Sequence, residues 1–206
     1  MVNFYDCSMH ILVADDHGLF REGICSLLTE RHPEYDIQCA SSLSEVESAI
    51  AGERPFRLLL LDLNMPGMHG IESILWLQNR CGETPILIVS ADETPATIHR
   101  CLEAGVAGYL SKSADSQTMQ RAIDTVLSGQ RYIPEQALEY RPIRLNHRQQ
   151  QILRCLAEGK SNREIAAELH LSEGTVKQYV SRLLTELDVD NRIQAGNRAK
   201  ELLGFN

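Results

Sequence analysis

The sequence predicts a doubly wound α/β domain followed by a small all-α domain, and three observations carry that prediction. Short continuous apolar runs alternate with amphipathic helical patterns as far as Gly129. Beyond Arg144 those runs stop, and helical periods opened by capping residues replace them. The charge divides near the same place: residues 1–130 hold 8 Lys/Arg against 18 Asp/Glu, whereas residues 131–206 hold 12 against 10. An acidic first part and a mildly basic last part indicate two modules with different partners.

In the first part, His10–Ala14, Leu58–Leu61 and Ile86–Val89 are continuous runs, apolar after the leading His10, as in strands buried on both faces of a parallel sheet. Asp36–Ala40 and Ala107–Leu110 are weaker strand candidates. Helical spacing joins Phe20, Ile24, Leu27 and Leu28, then Ile71, Ile74 and Leu75, then Ile98, Cys101 and Leu102, and last Met119, Ile123, Val126 and Leu127. Five strands alternating with five helices give an α/β domain over residues 9–129. Right-handed crossovers place its helices on both sides of the sheet. Residues 130–144 contain Pro134 and Pro142 and show no sustained period. They are expected to form a linker with a helical turn near Gln136–Glu139.

Residues 145–206 read as four helices. Asn146-x-x-Gln149 and Ser161-x-x-Glu164 have the form of capping boxes. The first helix carries Ile152, Leu153 and Leu156 and stops at Gly159, and the second carries Ile165, Ala166 and Leu169. After the turn His170-Leu171-Ser172, Ser172 can cap a third helix that buries Val176, Val180, Leu183 and Leu187. A fourth, from about Arg192 to Leu203, has Ala195, Ala199 and Leu202 on one face.

At 43% hydrophobic and 23% charged, the composition is that of an ordinary globular protein. No tract of eighteen consecutive apolar residues occurs, so no membrane-spanning helix is expected. Residues 1–9 carry neither a basic start nor a long apolar region, so no secretory signal is expected and the location predicted is cytoplasmic. The six cysteines, at 7, 25, 39, 81, 101 and 155, are scattered without a C-x-x-C. They read as reduced core residues, with neither a disulfide framework nor a zinc site.

Functional residues of an open parallel sheet gather at the carboxyl ends of its strands. Here the first strand ends in Asp15-Asp16, the third in Asp62 and the fourth in Ser90, and Lys112 follows the fifth. Carboxylates converging on one edge repel each other unless cations compensate. An all-oxygen set favours a hard divalent ion such as Mg²⁺. Taken singly, Asp16 also reads as a helix cap and Asp62 as the opening of a turn before Pro66-Gly67.

These residues carry a family resemblance. Asp15-Asp16-His17, the run Leu61-Asp-Leu-Asn-Met-Pro-Gly-Met-His-Gly70, Ser90-Ala91 and Gly108-Tyr-Leu-Ser-Lys112 resemble the receiver domain of two-component response regulators. The resemblance covers about residues 9–129. It implies a flavodoxin-like sheet of order 2-1-3-4-5, for which a single-domain receiver is a standard example. It makes Asp62 the phosphoacceptor, which attacks the phosphohistidine of a sensor histidine kinase or phosphotransfer protein. It gives Asp15, Asp16, Asp62 and the Asn64 backbone carbonyl to Mg²⁺, Ser90 and Tyr109 to the switch, and Lys112 to the phosphoryl group. On that reading Tyr109 fills space that Ser90 vacates; as an aromatic on a strand near a sheet edge it also reads as packing. Gly18 stands where the family often has Pro, and His69 where Asp is common.

In the second part, Lys177, Gln178, Ser181 and Arg182 line the outer face of the third helix. Lys can donate to guanine and Gln can pair with adenine, so Lys177 and Gln178 suit base readout. Arg182, Thr175, Arg163 and Asn162 suit phosphate contacts. A polar stripe alone fits a solvated helix face equally well. However, Leu145-Asn-His-Arg-Gln149, Leu156–Ala167, Leu171-Ser-Glu-Gly-Thr-Val-Lys177 and Leu187–Arg192 resemble the LuxR-type helix-turn-helix. With the receiver, this resemblance implies the NarL/FixJ class of bacterial transcription regulators. It further implies binding to double-stranded promoter DNA as a homodimer, with Ala195, Ala199 and Leu202 as the dimer face; core packing of the same residues is a competing account compatible with it. A haloacid-dehalogenase-type phosphate enzyme would also place an Asp nucleophile on such a sheet. It needs a second Asp two residues on, where this chain has Asn64, so no enzyme turnover is expected. A protein-binding adaptor is the remaining alternative.

Overall fold

The computed structural model describes residues 9–52, 54–140, 143 and 145–203, apart from the side chains at 201 and 203. Cys7 and Pro142, which entered the sequence reading, lie outside the described residues. Two compact units divide after Tyr140.

The first unit alternates β1 (His10–Ala14), α1 (Gly18–Arg31), β2 (Asp36–Ala40), α2 (Leu43–Ile50), β3 (Leu58–Leu61), α3 (Ile71–Cys81), β4 (Ile86–Ser90), α4 (Pro95–Glu103), β5 (Gly108–Ser111) and α5 (Ser116–Leu127). Its sheet is wholly parallel with the order β2-β1-β3-β4-β5. Successive strand residues point to opposite faces, and the apolar runs split accordingly. Ile11, Val13, Leu58, Leu60, Leu87 and Val89 pack against Ile24 and Leu28 of α1 and Ile123 and Val126 of α5. Leu12, Leu59, Leu61, Ile86 and Ile88 pack against Val46 of α2, Ile74 and Leu77 of α3, and Ile98 of α4. A doubly covered sheet thus accounts for strands apolar at every position.

Beyond the count of five helices, the sequence shows no apolar period for α2. It is eight residues long and buries Val46, with Ser42 accepting from the Glu45 amide as its cap. One buried side chain in two turns is too little for a periodic signal.

The linker expected over residues 130–144 is shorter than predicted. The Tyr132 amide donates to the Ala107 carbonyl at 3.0 Å, and the Tyr109 amide donates to the Tyr132 carbonyl at 3.2 Å. Arg131 Nη2 donates to the carbonyls of Leu102 (2.7 Å) and Val106 (3.2 Å). Then α6 (Glu135–Leu138) buries Ala137 in the core that includes α4, and the Tyr140 ring lies 5.4 Å from that of His99. Strand β5 ends the sheet, and an edge strand left open exposes unpaired backbone groups. The backbone of Tyr132 covers part of that edge. Gly108 permits the approach: a Cβ there would lie 2.8 Å from the Tyr132 carbonyl oxygen.

The second unit consists of α7 (His147–Ala157), α8 (Asn162–Glu168), α9 (Glu173–Glu186) and α10 (Arg192–Leu203). Both expected capping boxes form, Asn146 with Gln149 and Ser161 with Glu164. Ser172 caps α9 by accepting from the Thr175 amide. The turn into α9 passes through His170 at φ +53°. Val176, Val180, Leu183 and Leu187 are buried with Ile152, Leu153 and Ile165, as their spacing predicts.

Candidate functional site

The carboxyl ends of β1 and β3 bring three acids together. Ligand oxygens of Asp15, Asp16 and Asp62, with a nitrogen of His17, lie within 4.8 Å of one another. Asp15 and Asp62 are buried at 2% and 1% exposure, whereas Asp16 is exposed. Backbone pairing fixes the first two: the Asp15 amide donates to the Ala40 carbonyl and the Asp62 amide to that of Ala14. Lys112, just past β5 and itself fixed by donating its amide to the Ser90 carbonyl, crosses the sheet end. Its Nζ stands 2.8 Å from Asp15 Oδ2 and 2.9 Å from Asp62 Oδ2, over the Phe20 ring at 5.0 Å. Burial pulls the Lys112 pKa down, but hydrogen bonds to both acids and their charges outweigh it and hold the value above normal.

The second Asp62 oxygen, Oδ1, is buried without a hydrogen-bond partner. Formally, three carboxylates against one ammonium leave two negative charges, and the donors facing each other are mostly oxygens. That set fits a hard divalent cation. Asn64 follows Asp62 in an exposed turn leading to Gly67, whose φ of +87° lets the chain double back. Asp62, Asn64, Ala91, Lys112 and Phe20 line one groove between α1 and α5.

Ser90 ends β4 fully buried, and its Oγ accepts from the Asp92 amide at 3.2 Å. Tyr109 is 1% exposed and its hydroxyl donates to the Asp92 carbonyl at 2.5 Å. Burial pushes the phenol pKa up to about 12. The ring that the sequence reading expects to move inward is therefore already inside.

The exposed stripe of the second unit is present. Lys177, Gln178, Ser181 and Arg182 are exposed on α9, and Arg163 is exposed at the start of α8. Thr175 is half-buried with its hydroxyl 2.9 Å from Ser172 Oγ, so it is partly engaged in the cap. Asn162 is half-buried, with a buried Oδ1 that has no hydrogen-bond partner. The α10 residues expected at a dimer face lie in the core of this unit. Ala195 and Ala199 have no exposed surface, and Leu202 packs on the same core. The helix lies so close to α7 that a Cβ on Gly196 would sit 2.8 Å from the Leu156 carbonyl oxygen. Small residues on that face serve packing within the unit, and the residues α10 offers to solvent are Ile193, Gln194, Asn197, Arg198 and Lys200.

Three residues at the acidic site make contacts that lay beyond sequence reasoning. His17 Nδ1 sits 2.8 Å from Asp16 Oδ1, and its amide donates to Asp15 Oδ1 at 2.8 Å. Arg21 Nη1 donates to the Asp15 carbonyl at 2.5 Å. Phe20 supplies the floor under Lys112. Only the adjacency of His17 to the acid pair offered any signal.

Comparison with known proteins agrees with this division. The response regulator receiver domain matches residues 11–124, and the bacterial regulatory proteins of the luxR family match residues 144–199. The glycerol metabolism activator of Pseudomonas putida is 33% identical over 203 residues, covering 90% of this chain and 92% of that protein. The transcriptional regulatory protein DesR of Bacillus subtilis is 33% identical, covering 93% of this chain and 96% of its own. Among solved structures, the RcsB response regulator of Salmonella typhimurium has a TM-score of 0.82 at 23% identity, covering 93% of this chain and 98% of its own. With a receiver fold carrying an acidic rim and a luxR-family helical unit joined in one chain, the protein belongs to the NarL/FixJ-type response regulators.

Proposed function

We propose that Asp62 accepts a phosphoryl group from a histidine kinase or phosphotransfer protein, and that this controls promoter binding by α9. One observation carries the chemistry. Lys112 holds Asp62 Oδ2, while the buried Oδ1 has no hydrogen-bond partner, and Asp62 lines the groove. The free oxygen is the nucleophile: its bond to phosphorus forms as the phosphorus–nitrogen bond of phosphohistidine breaks. Lys112, held protonated, offers a fixed charge to the transferring oxygens.

Asp15, Asp16, Asp62 and the Asn64 carbonyl are the residues to hold Mg²⁺, which when bound neutralises charge on the phosphoryl oxygens. His17 borders that set and orients Asp16. The acyl phosphate adds charge and acceptor oxygens, which draw on the Ser90 hydroxyl and so on the Asp92 amide it accepts from. Because Tyr109 already bonds the Asp92 carbonyl, phosphorylation acts by holding this ring in place, not by drawing it in.

For DNA, Lys177 and Gln178 read bases, while Ser181, Arg182, Thr175, Arg163 and Asn162 contact the backbone. Lys160 is withdrawn from that role by Glu158 and Glu168, which lie 2.6 and 2.5 Å from its Nζ. A helical unit of so little net positive charge binds weakly alone, and pairing on two half-sites offsets this. RcsB, similar in fold, has been solved as dimers bound to DNA. A homodimer of this chain would use the exposed side of α10, where Ile193 is 73% exposed. The setting is cytoplasmic and turnover of a small substrate is not part of the function; among the described residues no helix is long and apolar enough to cross a membrane.

The test is Asp62→Asn under kinase stimulation, read by footprinting on bound promoter DNA. The variant should lose the gain in occupancy that phosphorylation gives wild type. Equal gains in both would refute the reading.

A further inference from the structure

A second pair of reactive side chains lies away from the acidic rim. Cys25, on α1, and Cys39, on the edge strand β2, have their Sγ atoms 3.4 Å apart. Both are free thiols; Cys39 is exposed and Cys25 is half-buried. We propose that Cys25 and Cys39 form an oxidation site, closing an intramolecular disulfide by exchange with a low-molecular-weight disulfide of the glutathione type.

Geometry supports closure. A disulfide bond is roughly 2.05 Å long, so the sulfurs need to approach by about 1.4 Å. Cys39 stands on an outer strand, paired on one side only, with β1, and that edge can shift without disturbing the sheet centre. Of the other described cysteines, Cys101 and Cys155 are buried and Cys81 is half-buried.

The chemistry follows from exposure. The Cys39 thiolate attacks the small disulfide, forming a mixed disulfide and releasing one thiolate. Cys25 then loses its proton to solvent and attacks the Cys39 sulfur, expelling the second thiolate. Two protein thiols are oxidised, and the small disulfide is reduced to two thiols. Burial, with the Cys39 contact and charge, pushes the Cys25 thiol up to about 12, and the nearby Arg21 partly opposes this. Cys25 is thus the slow, resolving partner and Cys39 the attacking one. A disulfide in a reducing compartment is expected to be transient and condition-dependent, which suits a site that answers to oxidant. The link would tie β2 to α1, the helix whose Arg21 holds the Asp15 carbonyl.

The experiment treats the full chain with oxidised glutathione, blocks residual thiols with iodoacetamide and maps the peptides. Wild type should yield a Cys25–Cys39 linked peptide, and Trp76 fluorescence should report a thermal midpoint raised by roughly 5 °C, reversed by reductant. Cys25→Ser should stop at glutathione on Cys39, and Cys39→Ser should react at neither position. Wild type that keeps glutathione on Cys39 without closing the link would overturn the proposal. So would a link between chains or to another cysteine, or unmodified thiols at both positions.

Discussion

Removing the Lys112 ammonium should expose what it compensates. In Lys112→Met, Asp15 and Asp62 keep their burial but lose a cation that stands 2.8 and 2.9 Å from them. At an effective dielectric of about 20, each contact is worth roughly 6 kcal/mol before desolvation. Most of that is offset by the cost of burying the charges, and deleting one partner of a buried pair typically costs 3–5 kcal/mol. Lys112 keeps 14% of its side chain exposed, so we expect a loss near the lower bound, about 3 kcal/mol. Trp76 is the single tryptophan and lies in α3, so its fluorescence in urea reports the receiver alone. Adding Asp62→Asn to Lys112→Met should recover about 1–3 kcal/mol in a double-mutant cycle. Millimolar Mg²⁺ should stabilise the variant more than wild type. The pH dependence has a definite sign: a lysine whose pKa is raised on folding stabilises fully below its unfolded value, about 10.5. That contribution is lost as pH rises through the higher folded value, so wild type and Lys112→Met should converge in stability as pH rises through it. A Lys112→Met variant within 0.5 kcal/mol of wild type at neutral pH would refute the account of the site as charge-compensated.

Gly108→Ala should clash with the Tyr132 carbonyl and cost about 1–3 kcal/mol. Hydrogen exchange at the Tyr132 amide should rise with it, and unchanged protection there would argue against a packed 131–140 segment. Lys177→Ala should weaken DNA binding about 10-fold and relax preference at one base pair, while Arg182→Ala should weaken all sequences alike and lower the salt slope by about one; competition binding at several salt concentrations separates them. Leu183→Ala, at a fully buried position of α9, should cost about 3 kcal/mol, seen as early loss of helical circular dichroism from the second unit while Trp76 fluorescence holds.

Much of the molecule was legible before folding because its signals are local. The runs at His10–Ala14, Leu58–Leu61 and Ile86–Val89 place three strands, since a sheet covered on both faces admits no alternation. Asn146, Ser161 and Ser172 mark the starts of their helices because a cap bonds to amides two or three residues on. Local pattern placed the helical turn that forms α6, but failed for α2, with its single buried valine, and for Tyr132, whose structure comes from the β5 edge it pairs with. It also assigned all the cysteines to the core, although Cys39 sits exposed on an edge strand.

By itself the chain's order of residues determined two units, their elements and the gathering of Asp15, Asp16, Asp62, Ser90 and Lys112 at one sheet edge. The last follows because parallel strands put equivalent ends together. Tertiary structure alone decided that Lys112 bridges two acids and leaves one Asp62 oxygen free. It likewise decided that Tyr109 is already inside, that Ala195 and Ala199 face inward, and that Cys25 meets Cys39. Each of these depends on the ångström-scale separation of segments joined by intervening chain, and periodicity carries no information about such distances.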